Sequence, residues 1–367
     1  MFKKNFAIQT IVFICLKNII QTVEVFNVGT RNVVNPTTTN SEEQNSNTAS
    51  SSNSSTLENE IYVIDGSDDT INEQNIAKIC EENKYCGLYN LKYSCYANCI
   101  LQSLIHIKRF REKIAECKEG EMILLLNEAI QEMQKNKIYN PKNLLDHIIK
   151  NYNILQDIHE FYLEFFAELT ENKKGDTKIS ELDNLITGTT KETSKNEEGQ
   201  IFERLNNFKN IFLPISTSDG AIIDNLEESL AQEFTNDGKS KKEIKKAPEI
   251  LFLLINRFVF DKEKKKLKKY NGLFKFPKEI DFSPYCVDTT IENTYKLHSV
   301  IVHKGNSTFG HYYCNILIDG KWYEFNDYKN KMIGEKDAIE EQFGGHKEAT
   351  NEMKNHSAYY LVYVKKN

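Results

Sequence analysis

The sequence contains no CxxC pair, no uninterrupted apolar run long enough to cross a bilayer, and no excess of positive charge. Its eight cysteines are too few over 367 residues for a disulfide framework, and none falls between Cys117 and Cys286. A zinc ribbon is therefore not encoded. Cys95 and Cys99 lie one helical turn apart without histidine partners, so neither a metal nor another cofactor is expected. The formal charge of −6 argues against nucleic acid as a partner. The lysine-rich stretch at 262–269 (KEKKKLKK) reads as a solvated hairpin tip.

The apolar run nearest to a membrane segment is Phe6–Leu16, preceded by two lysines and interrupted by Lys17 and Asn18. It has the length of a signal-peptide core and is too short for a stable span. No clean small-x-small cleavage site follows. Residues 1–24 thus stand between a secretory signal and an N-terminal amphipathic helix. Residues 25–83 are dominated by an Asn, Ser, Thr and Glu tract that cannot bury enough apolar area to offset chain entropy, and they read as a linker. Glu60–Asp65 (EIYVID) has the pattern of a short strand within it. The folded domain is expected over 84–367, where a hydrophobic fraction of 40% for the whole chain suffices for a core.

Residues 87–105, GLYNLKYSCYANCILQSLI, organise that domain. A turn-forming run leads into Cys95, after which Ile100, Leu104, Ile107 and Ile114 recur on one helical face. Cys95 is thereby placed at a helix N-terminus, where free N–H groups and the macrodipole stabilise a thiolate. A lone cysteine is more often a small buried apolar residue. Cys95 draws its weight from its neighbours.

Helical patterns continue through Glu121–Asn136, through a helix opened by Pro141, and through Asp157–Leu169. Asp157 and Glu160 share one face of the last helix, in a position that also complements its dipole. Residues 171–200 read as a polar loop or insertion, and Asn225–Phe234 as a short helix. Beyond Ala247 the pattern changes to strands, and residues 335–356 read as a charged insertion before a last strand. Asp319-Gly320 is a two-residue hairpin signal. The implied register pairs Ile318 with Lys321 and puts Asn326 on the His311 face, diagonally across at about 7–8 Å. Asp327 falls on the other face in this register, and a one-residue change in loop length would exchange the two.

These motifs resemble those of the ubiquitin-specific proteases. Gly87, Leu88, Asn90, Cys95, Tyr96, Asn98, Leu101, Gln102 and Leu104 match the family's Cys box, while Lys92, Tyr93 and Ser94 replace its usual Gly, Asn and Thr. LQDIHEF at 155–161 is similar to the QQDxxEF box. PEILFLLINRFVFD and KYNGLFKFPKEIDF resemble two strand segments, and GHYYCNILIDGKWYEFND resembles the His box. The likeness covers about 86–366, with the motifs in the family's order.

The resemblance implies an α+β, papain-like cysteine protease fold. A helical thumb would carry Cys95 and an antiparallel β palm His311, with fingers that are reduced or metal-free. It implies that His311 activates the Cys95 nucleophile, and that the third member is Asn326 by register or Asp327 if the register shifts. The Asn90 side chain and the Cys95 N–H would stabilise the oxyanion. Asp157 and Glu160 would grip the basic tail of ubiquitin, and Arg257 would order a loop. The implied activity is hydrolysis after the C-terminal glycine of ubiquitin on conjugates or precursors. A catalytically weak ubiquitin-binding module and a protease for a ubiquitin-like modifier are the alternatives. The implied partners are ubiquitin and ubiquitinated proteins. The resemblance implies a cytoplasmic or nuclear location, and the N-terminal segment leaves secretory entry open. A glycan on the sequon Asn306-Ser307-Thr308, just before His311, would crowd the cleft.

Overall fold

Cys95–Ile105 forms helix α1, and all eleven of its residues are buried. In the computed structural model the described residues are 83–366, except 136, 171–176, 235–238 and 262–263. Contacts divide the chain into two units, Met1–Asp65 and Gly66–Asn367, and every described element belongs to the second. The Phe6–Leu16 segment, the Asn/Ser/Thr tract and the strand expected at Glu60–Asp65 lie outside the described residues.

The apolar spacing that begins in α1 runs across a break. Ile107 is extended (φ −87°, ψ 110°), and a second helix, α2, spans Lys108–Glu116. Arg111 Nη1 donates to Ile105 O (2.5 Å), satisfying a carbonyl at the end of α1. Phe110 and Ile114 still face the core, from α2 rather than from a continuation of α1. Helices α3 (Glu121–Met133), α4 (Lys142–Leu145) and α5 (Ile158–Thr170) follow, and Pro141 opens only the single turn of α4.

The loop expected at 171–200 is instead α6 (Thr177–Ile186) followed by strand β1 (Gly188–Lys195). Ile179, Leu182, Leu185 and Ile186 form a buried stripe on α6 that is masked in the sequence by interleaved charges. β1 pairs with β2 (Ile201–Phe208) and β4 (Ser240–Lys246) in a three-stranded antiparallel sheet. β3 (Asn210–Leu213) and helix α7 (Leu226–Glu233) lie between β2 and β4 in sequence. The Asn225 side chain caps α7 by accepting from Glu228 N–H (2.9 Å).

The main sheet has eight strands. β5 (Ile250–Ile255), β8 (Glu279–Asp281), β9 (Thr294–Gly305), β10 (Gly310–Ile318), β11 (Lys321–Asn326), β12 (Lys329–Ile333) and β13 (His356–Lys365) join β3 in it. Its path runs β12-β11-β10-β9-β13-β5-β3, with β8 beside β9. All pairs are antiparallel except β3 with β5. β6 (Phe258–Asp261) and β7 (Lys266–Lys269) form the lysine-rich hairpin.

The ILFLLI run of β5 is apolar throughout because both faces of the sheet are covered. Ile250, Phe252 and Leu254 join the core shared with the helices, and Leu251, Leu253 and Ile255 join a second core on the opposite face. The segment expected to be a charged insertion is partly folded into that second core. Ala338, at the end of helix α8 (Glu335–Ala338), and the adjoining Ile339 are buried there. Arg257 is fully buried and directs its guanidinium at four carbonyls, those of Ala358, Tyr270, Gly272 and Phe343.

The turn entering α1 carries a local cost. Lys92, which stands where the resembled family has Gly, has φ +64°. Its Nζ compensates only at the surface, donating to Asn153 Oδ1 (2.6 Å). A left-handed non-glycine residue costs roughly 1–2 kcal/mol, and glycine loses about 0.5–1 kcal/mol more chain entropy on folding. Lys92→Gly is therefore expected to raise the unfolding free energy by about 0.5–1 kcal/mol. Chemical denaturation checks this, and a destabilised variant would show that the turn does not hold the strain described.

Candidate active site

Three separate stretches of chain meet at the N-terminus of α1. Cys95 is its first residue, buried, with the uncapped N–H groups of the first turn beside it. The sharp approach is held by a short network. Asn90 Oδ1 accepts from Ser94 N–H (3.0 Å), and Ser94 Oγ accepts from Leu91 N–H (2.8 Å).

His311 arrives on β10. Asp319 and Gly320 have φ +50° and +76°, so the β10–β11 loop is a two-residue turn with both central residues left-handed. Ile318 pairs with Lys321, and the ladder runs back to Cys314 opposite Phe325. Asn326 Oδ1 lies 2.7 Å from His311 Nε2. The Cys95 sulfur acts on the same imidazole. Burial disfavours the imidazolium, but the Cys95 sulfur, the Asp327 carboxylate and the Asn326 amide outweigh it and raise His311 to about 9.

Asp327 departs from the expected alternation. The ladder continues from Asn326 to Lys329 on β12, so Asp327 and Tyr328 form a second tight turn, with Asp327 at φ +52°. Leaving the strand there swings the carboxylate back into the site instead of onto the far face. Its Oδ2 lies 3.9 Å from His311 Nε2 and accepts from Asn90 Nδ2 (3.0 Å), while Oδ1 accepts from Asn98 Nδ2 (2.8 Å). Burial raises its pKa against the pull of His311, Asn98 and Asn90. The same turn docks on the Cys95 loop through Leu88 N–H to Asp327 O (3.0 Å). Gly87 must be glycine here, because a Cβ would lie 2.1 Å from Tyr328 O.

Asn90 therefore has one Nδ2 hydrogen committed to Asp327, and among the described residues nothing accepts the other. Asn98 was recognisable only as a matching motif position. Its role in holding Asp327 could have been sought from its place three residues after Cys95, on the same side of α1.

Asp157 and Glu160 differ from each other. Asp157 caps α5 through His159 N–H to Oδ1 (2.8 Å), and its Oδ2 accepts from Tyr312 (3.3 Å) and Tyr359 (3.2 Å) hydroxyls on β10 and β13. Burial raises its pKa despite those three donors. Glu160 Oε1 is buried with no partner among the described residues. Burial, with the Asp157 and Glu164 carboxylates nearby, lifts Glu160 to about 7. The two tyrosines had no signal in the sequence beyond their places in β10 and β13.

No group of three or more metal-ligating side chains occurs among the described residues. No helix among them is long and apolar enough to cross a membrane. The sequon residue Asn306 is exposed in the β9–β10 loop, where its Oδ1 accepts from Thr308 and Phe309 N–H.

Sequence comparison places this geometry among known proteins. The family model for ubiquitin carboxyl-terminal hydrolase matches residues 86–363. The chain is 26% identical over 330 residues to "Ubiquitin carboxyl-terminal hydrolase 15" of Schizosaccharomyces pombe, covering 78% of this chain and 28% of that protein. It is 26% identical over 335 residues to "Ubiquitin C-terminal hydrolase 12" of Arabidopsis thaliana, covering 78% and 30%. It is 27% identical over 317 residues to "Ubiquitin carboxyl-terminal hydrolase 7" of Drosophila melanogaster, covering 77% and 27%. The matched region thus spans less than a third of each of these relatives. With a family model over residues 86–363 and a cysteine, a histidine and an asparagine brought together within it, the chain belongs to the ubiquitin carboxyl-terminal hydrolase family.

Proposed function

We propose that this chain is a cysteine-type deubiquitinase that cleaves the bond after the C-terminal glycine of ubiquitin on conjugates or precursors. The observation that carries the proposal is the position of His311, bonded through Nε2 to Asn326 at 2.7 Å and raised in pKa by Cys95, the first residue of a helix. With Nε2 occupied by Asn326, Nδ1 is the nitrogen left to serve the sulfur. The domain responsible is 84–367. Helices α1–α6 act as the thumb, the eight-stranded sheet as the palm, and the cysteine-free β2-β1-β4 sheet as metal-free fingers.

In this reading the Cys95 thiolate attacks the carbonyl carbon of the terminal glycine, and the carbonyl electrons move to oxygen. The Cys95 N–H and the uncommitted Nδ2 hydrogen of Asn90 stabilise that oxyanion. A comparable donor is worth roughly 2.7–4 kcal/mol. The oxyanion collapses, the bond to the lysine nitrogen breaks, and the His311 imidazolium gives its proton to that nitrogen. A water molecule then loses a proton to His311 and opens the thioester, which releases the glycine carboxylate and restores the thiolate.

Asn326 holds the imidazole tautomer, as an amide oxygen can. Asp327 acts from behind, fixing Asn90 and Asn98 and favouring the imidazolium. Glu160 offers an unpaired buried oxygen to a cationic tail, while Asp157 joins helix to sheet and shares the same acidic corner. A catalytically weak binding module gains no support from Lys92, because the turn keeps the left-handed geometry a glycine would supply.

Cys95→Ala should abolish hydrolysis of a ubiquitin C-terminal amide and leave ubiquitin binding intact. Turnover by that variant would refute the nucleophile. Asn326→Ala should lower kcat by about 10²-fold with little change in ubiquitin affinity, and Asn326→Asp should stay active, because a carboxylate accepts the same imidazole N–H. A mild Asn326→Ala beside a crippling Asp327→Ala would transfer the orienting role to Asp327. Glu160 is charged above about pH 7 and neutral below it. The KM for ubiquitin amides should accordingly rise as pH falls through 7 in the wild type and stay flat in Glu160→Gln. A KM that rises equally in both forms would remove Glu160 from substrate binding.

A further inference from the structure

The strand paired with the one that carries His311 is fastened by a lysine that takes no part in the proposed chemistry. Lys269, the last residue of β7, is buried, and its Nζ donates to His303 O (2.6 Å) and Gly305 O (3.5 Å). These carbonyls flank Lys304, the residue directly opposite His311 in the β9–β10 ladder, and Gly305 itself stands opposite Gly310. Pairing of β9 with β13 begins at Lys304 and His356. The amine therefore fastens β9 where its ladder with β13 ends.

The same turn is tied twice more. Ser307 Oγ donates to Leu267 O on β7 (2.7 Å), and Gly305 N–H donates to Asn355 O (2.8 Å). The His303 ring closes against Gly310 so tightly that a Cβ there would lie 1.9 Å from its Nε2. A shift in this end of β9 is thus passed through His303 to Gly310, and from Gly310 to the imidazole beside it.

The charged and titratable groups that act on Lys269 or feel its charge are cationic or neutral: Arg257 between β5 and β6, His303 on β9 and His356 at the start of β13. Among the described residues no carboxylate forms an ion pair with it. Burial, then Arg257, lowers its pKa to about 7. A buried amine in such company is unfavourable, and an apolar side chain of the same length would avoid the penalty. What the amine supplies, and an apolar chain cannot, is donors aimed at two backbone carbonyls.

We propose that Lys269 is a positioning residue for His311: by fastening the carbonyls on either side of Lys304, it holds the Gly310–His311 corner where the imidazole meets both Cys95 and Asn326. This inference rests on the proposed roles of Cys95 and His311.

Lys269→Met keeps the length of the side chain and removes its donors. In the full chain, assayed well below its melting temperature, kcat on a ubiquitin C-terminal amide should fall about tenfold with KM within about twofold, because small misplacements of reacting groups carry such costs. The second readout is alkylation of Cys95 by iodoacetamide, followed against pH by mass spectrometry of the Cys95 peptide. Alkylation of Cys95 should be several-fold slower in the variant, because a displaced imidazole activates the sulfur less. A lower melting temperature with unchanged kcat and an unchanged alkylation profile would overturn the proposal. If Lys269→Met does not fold, Lys269→Gln, whose amide nitrogen stops one atom short of the Nζ position, carries the test: the same pattern at smaller size supports the role, and wild-type behaviour overturns it. Wild-type protein that fails to cleave ubiquitin amides would sink the proposed function itself. Wild-type cleavage with an unaffected Lys269 variant would sink the positioning role alone.

Discussion

The site depends on one docking event, the Asp327–Tyr328 turn seated on the Gly87–Leu88 loop. A cysteine on a helix and a histidine on a strand more than 200 residues later must be brought to one place. No local propensity can set that place. It is set by Leu88 N–H bonding Asp327 O, by Tyr328 O approaching Gly87 too closely for any Cβ, and by the Asp327 carboxylate taking hydrogens from Asn90 and Asn98. Burying that carboxylate is unfavourable, and its two amide donors with the nearby imidazole offset the cost. The arrangement also ties the Asp327 turn to the chain on both sides of Cys95. Asn90 is held by Asp327 on one side and by Ser94 on the other, so Asp327, Asn90, Asn98 and Ser94 form one connected network.

How much of this was legible in the sequence depends on how local each signal is. The helix start at Cys95 could be read because the turn residues precede an apolar period, and α1 begins at that residue. The register of β10 and β11 could be read because Asp319-Gly320 admits the left-handed geometry a two-residue loop requires. Asn326 consequently arrives beside His311 as the pairing implies. Asp327 escaped the same reasoning because alternation holds only while the chain remains a strand, and the chain turns at Asp327. Nothing in the residues Asn326–Lys329 resembles the glycine-bearing signals that mark such turns.

The helix α6 was illegible for a different reason. Its four buried apolar residues are spaced correctly, but they are diluted by Lys178, Glu181 and Asp183, and the stretch around them is strongly polar. Composition pointed to solvent where period pointed to packing. Arg257 and Lys269 were hidden more completely, since lysine and arginine are seldom fully buried. The sequence allowed Arg257 a structural role. Only the structure reveals that it joins four carbonyls from separate segments of chain, and that Lys269 sits beside it under the His311 hairpin.

These burials share a logic that explains how the charges are distributed. Acidic groups near the cleft, Asp157, Glu160 and Asp327, are all shifted towards their neutral forms by desolvation. Arg257 and Lys269 are shifted towards neutrality for the same reason. His311 alone among the groups of the site is shifted towards its charged form, because it lies against the Cys95 sulfur and the Asp327 carboxylate. Low dielectric penalises each isolated charge, but it also strengthens the attraction between a closely apposed imidazolium and thiolate. The environment that makes the carboxylates, Arg257 and Lys269 reluctant to ionise therefore leaves His311 as the group of the site shifted towards its charged form.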